Sequence, residues 1–149
     1  MMLKLVKKLK EAADAQASLT LPLASRVKSR LRSTLDDGRE VGLFLERGQT
    51  LYHGDLLVST DGLVVKVIAA DETVSTVNCD DYLLQARASY HLGNRHVALQ
   101  IKPGQLRYLH DHVLDDMLKG FGLTVKVEKA PFEPEPGAYQ STGLHHHEH

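Results

Sequence analysis

The chain has 149 residues, enough for one ordinary domain or two small ones, and a hydrophobic share of 42% marks it as folded rather than disordered. A net charge of −1 and the absence of tryptophan leave neither the field nor the stacking surface on which nucleic-acid binding depends. The single cysteine, Cys79, excludes an intramolecular disulfide and a thiolate cluster within one chain, and reads as a small packed residue between Asn78 and Asp80.

At the N-terminus, Met1-Met2-Leu3-Lys4-Leu5-Val6-Lys7-Lys8-Leu9-Lys10 has lysines but no continuous apolar core and no small-residue cleavage site. No apolar run approaches the roughly 18 residues that would cross a bilayer. The expected location is therefore the cytoplasm, with no membrane contact.

The first half reads as β. Ser18 to Leu23 alternates with period two, and Pro22 confines it to an edge strand or a strand end. Arg26 to Thr34 alternates as a polar strand. Asp36-Asp37-Gly38-Arg39 signals a tight hairpin, with Glu40 to Leu45 as its return strand. His53-Gly54-Asp55 and Thr60-Asp61-Gly62 are turns around a short strand, Leu56 to Val58. Leu63 to Ile68 is a β-branched strand. Short strands at this spacing predict a small sandwich or barrel-like domain over 1–70.

Ala69-Ala70-Asp71-Glu72 is the expected boundary. A short strand follows from Thr73 to Asn78. Asp80 or Asp81 caps a helix running to about Leu92, which Gly93 is placed to stop. Val97 to Ile101 is a strand, Pro103-Gly104 a turn, and Gln105 to Leu109 the returning strand. Asp111 caps a second helix from Val113 to about Lys119. Leu123 to Val127 is the last strand. The order β-α-β-β-α-β over 71–143 is the ferredoxin-like arrangement. From Pro131 periodicity is lost, and 144–149 form a His-rich tail. Glu148 interrupts the histidine run, which favours a native tail over an affinity tag.

Histidine is the distinctive residue. Eight of nine lie after residue 90. Residues 1–70 carry eleven Lys/Arg against eight Asp/Glu, whereas 71–149 carry seven against eleven. The histidine-rich half is also the acidic half, and both features favour a cation.

Three constellations follow. His96 falls on a short connection after Tyr90-His91-Leu92-Gly93-Asn94-Arg95, where a loop residue and a ligand are both plausible roles; His91 reads as a packing residue. His110-Asp111-His112 places two imidazoles on one face only if the backbone is extended there, so the helix must start after His110. The alternative is a solvated helix start with Asp111 as its cap. His145, His146, His147 and His149 suit Ni²⁺, Cu²⁺ or Zn²⁺. The missing thiolates disfavour Cu(I) and a closed structural zinc site. Imidazole must be unprotonated to bind, so affinity should weaken below about pH 6.5.

Leu31 to Leu43, Asp61 to Val67, Ala88 to Ile101 and Asp111 to Gly122 make the chain resemble the urease accessory nickel metallochaperone family, UreE, over nearly its whole length. The resemblance implies a β-rich partner-binding domain over 1–70 and a ferredoxin-like domain over 71–143 that binds metal and dimerises. It implies that His96 of Gly93-Asn94-Arg95-His96 meets its copy on a Ni²⁺ ion at the dimer axis. His110 and His112 would form a secondary site, and the tail histidines would bind further ions. Implied partners are a second copy, the urease apoprotein and accessory proteins including a GTPase. No HExxH, GxSxG or Walker motif is present, so the expected protein is not an enzyme. The rival readings are an interaction adaptor or general divalent-metal binder with incidental histidines and, more remotely, a metal-dependent hydrolase.

Overall fold

The computed structural model describes residues 2–137. The chain divides between Ala70 and Asp71 into two compact units, each with its own apolar core.

The first unit contains β1 (Leu3–Lys8), β2 (Ala17–Leu21), α1 (Leu23–Arg26), β3 (Arg30–Thr34), β4 (Glu40–Phe44), β5 (Leu56–Ser59) and β6 (Val64–Ala69). The strands form one mixed sheet in the order β2-β6-β5-β1-β4-β3, with β1 parallel to β4 and β2 parallel to β6. The sheet curls until its two edges meet. Asp36, in the β3–β4 turn, donates its N–H to Ser18 O at 2.9 Å. Its carboxylate accepts from the hydroxyls of Ser18 at 2.6 Å and Thr20 at 2.8 Å, both on the opposite edge strand β2. The barrel-like domain expected from turn spacing is thus a six-stranded sheet closed by side chains. Leu5, Leu19, Leu43, Leu57 and Val67 fill it, each fully buried.

Two features depart from expectation. β1 is a central strand, in a segment for which no element was expected. Leu5 points inward while Lys4 and Val6 face solvent, the alternation of a half-buried strand. The polar strand expected from Arg26 begins only at Arg30. Before it, Pro22 opens the helical turn α1, where its restricted φ is already suitable. Arg26 is fully buried, its Nε donating to Leu21 O at 3.1 Å and an Nη to Leu51 O at 3.2 Å. A guanidinium in the interior is tolerable only with such acceptors.

The second unit contains β7 (Asp71–Asn78), α2 (Tyr82–Asn94), β8 (Gln100–Lys102), β9 (Gln105–Leu109), α3 (His112–Gly120) and β10 (Val125–Pro131). Its antiparallel sheet has the order β10-β7-β9-β8. With one helix in each crossover, this is the ferredoxin-like arrangement. Asp81 and Asp111 cap the two helices, each accepting from the N–H groups two and three residues on.

Element ends shift in three places. Helix α2 runs through Gly93 instead of stopping there, and His96 takes the left-handed residue beyond its end. The strand expected from Val97 starts at Gln100. β10 runs from Val125 to Pro131, where the strand was expected from Leu123 to Val127. Beyond it the backbone remains tied: Phe132 is fully buried, Glu133 N–H donates to Gln100 Oε1 and Glu135 N–H to Leu99 O, both at 2.8 Å. Among the described residues no helix is long and apolar enough to cross a membrane.

Candidate metal centre

His96 is exposed and lies one residue beyond the C-cap Arg95 of α2, with φ at +58°. It is the only non-glycine residue with positive φ among those described. Its N–H donates to Gly93 O at 2.9 Å, closing the helix in the manner usual for a terminal glycine. Left-handed backbone costs a side-chain-bearing residue about 1 kcal/mol or more. A histidine held there, with glycine available three positions earlier, points to a use for the imidazole. Immediately after it, Val97 and Ala98 line a depression of about 280 Å³ whose other walls include Leu109, His110, Asp111 and Leu114.

In the His110-Asp111-His112 segment the helix does start after His110. Asp111 is extended, at φ −154°, and the helix begins at His112. His110 and His112 are both exposed. Asp111 Oδ1 accepts from Val113 N–H at 2.8 Å and Leu114 N–H at 3.3 Å, so that oxygen is committed to the cap.

Behind His110 is a polar cluster that the sequence alone did not reveal. His110 Nδ1 is 3.1 Å from Asp115 Oδ2 and 3.1 Å from Ser75 Oγ. Tyr108 donates its hydroxyl proton to Asp115 Oδ1 at 2.6 Å. Ser75 and Tyr108 are buried, and Asp115 is only 5% exposed. Burial, reinforced by the neighbouring Asp115 carboxylate, pushes the Tyr108 phenol far above its ordinary pKa. The available signal was Asp115 itself, a carboxylate beside Leu114 and three residues before Leu118 on the buried face of α3.

The other described histidines differ. His53 Nδ1 accepts from Ala69 N–H at 3.1 Å, which occupies that lone pair. His91 packs against Phe121 at 5.1 Å and edge-on to Tyr90 at 5.2 Å. Cys79 is half-buried, its thiol directed to Asp81 O at 3.4 Å. Among the described residues, no three His, Cys, Asp or Glu side chains gather at one point that could hold a metal. The tail residues His145, His146, His147 and His149 lie outside the described residues.

Comparison with known proteins is consistent across the chain. Residues 3–70 match the family model of the UreE urease accessory protein, N-terminal domain, and residues 72–149 that of its C-terminal domain. A urease accessory protein UreE of Pseudomonas putida (strain W619) is 62% identical over 141 residues, covering 94% of this chain and 88% of the relative. One from Alkalilimnicola ehrlichii is 64% identical over 138 residues, covering 93% and 85%. Another from Escherichia coli O157:H7 is 56% identical over 149 residues, covering 99% and 96%.

Proposed function

The chain belongs to the UreE urease accessory protein family, with a role in urease maturation, and on that premise we propose that it is a nickel metallochaperone. It acts as a cytoplasmic carrier rather than an enzyme. It binds Ni²⁺ as cargo between two copies of itself and delivers it to apo-urease with the help of accessory partners including a GTPase.

The observation that carries this reading is His96, exposed on a left-handed helix terminus and followed by Val97, which lines one depression together with His110. A twofold axis beside that terminus doubles each donor, turning one imidazole into two. Imidazole suits Ni²⁺, and an incomplete, solvent-facing shell suits a carrier, which must release what it binds. Cu²⁺ and Zn²⁺ are expected competitors, Cu²⁺ the stronger. In this reading residues 71–143 bind metal and dimerise, while 1–70 contact partner proteins.

His110 and His112 form the second site. The tail histidines are auxiliary ligands, and their tether supports the assignment. Glu135 is bonded to Leu99, three residues from His96 along the chain, and His145 follows ten residues later. Ten residues reach at most about 35 Å, so the tail can return to the site from which it departs.

Isothermal titration of Ni²⁺ into the dimer tests the proposal. His96→Ala should abolish the tightest site and leave the far-ultraviolet circular dichroism unchanged. Unchanged affinity and stoichiometry would refute it and leave the adaptor reading, under which chelator has no effect on partner binding.

A further inference from the structure

Asp115 has no part in the proposed coordination shell, yet its buried carboxylate is 3.1 Å from the His110 ring. We infer that Asp115 is a positioning residue that fixes the tautomer of His110, holding the proton on Nδ1 and leaving the Nε2 lone pair as the metal donor. This rests on the reading of His110 as a ligand and adds the group that makes it one.

Proton inventory decides the tautomer. Two atoms meet the ring at Nδ1: Asp115 Oδ2 and Ser75 Oγ, each 3.1 Å from it. An ionised carboxylate only accepts, a hydroxyl does both, and a neutral imidazole has one N–H and one lone pair. A proton on Nδ1 lets His110 donate to the carboxylate. A proton on Nε2 would turn the Nδ1 lone pair toward Asp115 Oδ2, two acceptors face to face, with the buried oxygen missing a donor. Ser75 could serve either tautomer, so it does not decide.

The carboxylate is itself held in place. Its other oxygen accepts from the Tyr108 hydroxyl at 2.6 Å, and the aspartate lies in the first turn of α3, where the helix dipole favours an anion. Tyr108 and Ser75 come from adjacent strands of the same sheet, where Ser75 pairs with Tyr108. The ring therefore rests on a rigid base, with its Nδ1 edge turned inward. His53 is the internal contrast: there a backbone N–H donates to Nδ1, which forces the proton onto Nε2. A carboxylate behind a metal-binding histidine both orients the ring and raises its basicity.

Asp115→Asn is nearly isosteric and reverses the inventory. The amide NH₂ can donate to Nδ1, moving the ring proton to Nε2 and removing the donor lone pair. The test is a long-range ¹H–¹⁵N correlation spectrum of the metal-free dimer in mildly alkaline buffer. The native protein and Ser75→Ala should both show His110 protonated on Nδ1. Asp115→Asn should show it protonated on Nε2 and bind Ni²⁺ at the second site about ten- to a hundredfold more weakly. In a His110→Ala background the same substitution should leave Ni²⁺ affinity unchanged. A native His110 protonated on Nε2 overturns the inference, and so does an Asp115→Asn ring still protonated on Nδ1. Should Asp115→Asn fail to fold, the native and Ser75→Ala spectra still decide. Loss of tautomer control with no change in metal binding would instead refute His110 as a ligand.

Discussion

The Tyr108 hydroxyl and the Asp115 carboxylate are 2.6 Å apart in the interior of the second unit, joining the middle of β9 to the first turn of α3. Tyr108→Phe deletes the donor and keeps the ring. Asp115, 5% exposed, then loses one of its two donors, which should cost about 1–3 kcal/mol in urea unfolding.

The same contact sets an alkaline limit. The folded pKa of Tyr108 lies above the unfolded value, so folding retains a proton that the unfolded chain releases. Its contribution is complete below about pH 10 and declines as pH rises beyond that. A stability profile from pH 8 to 11 should therefore fall more steeply in the native protein than in Tyr108→Phe. Parallel profiles would show that Tyr108 titrates normally.

At residue 96, backbone and side chain make opposite demands. Glycine accepts φ near +58° without penalty, and histidine does not. His96→Gly and His96→Ala should both lose the tightest Ni²⁺ site. In thermal unfolding without metal, the glycine variant should be more stable than the alanine variant by about 1 kcal/mol. Equal stabilities would mean the helix end relaxes, and the left-handed backbone would no longer argue for function.

The barrel-like closure rests on Asp36. Asp36→Ala removes the acceptor shared by the Ser18 and Thr20 hydroxyls and should cost about 1–2 kcal/mol. Amide exchange should accelerate along β2, an edge strand whose neighbour in the sheet is β6. The neighbouring Asp37→Ala loses an exposed ion pair with Arg39 and the bond from Arg39 N–H to Asp37 Oδ1, both within the turn itself, and should leave exchange along β2 unchanged.

These residues also mark how far the sequence could be read. Local chemistry was legible: Asp81 and Asp111 as caps, Asp37-Gly38 as a hairpin turn, and the β-α-β-β-α-β order that fixes the second unit. Properties set by distant partners were not. β1 hid because a strand that is buried on one face only can carry lysines on the other. Arg26 read as surface because its acceptors, Leu21 O and Leu51 O, come together only in the fold. His96 was found by its motif, but the end of the helix was assigned to Gly93. Asp115 was missed because helical periodicity ranks positions by apolarity and is blind to a polar pair completed by another strand.

The last prediction concerns the tether of the tail. Phe132, Glu133 and Glu135 fasten the chain beside Leu99 and Gln100 before the histidines begin. If those histidines act near His96, the tether raises their local concentration, and a short link adds affinity without adding contacts. Deleting residues 138–149 should lower the number of Ni²⁺ ions bound and weaken the tightest site severalfold. Supplying the same residues as a free peptide at equimolar concentration should not restore that affinity. Gln100→Ala, which removes the acceptor for Glu133 N–H, should give an intermediate loss with the tail still present. Full activity from the untethered peptide would show that the tail binds metal independently of the site it departs from. No loss on deletion would confine metal binding to His96, His110 and His112.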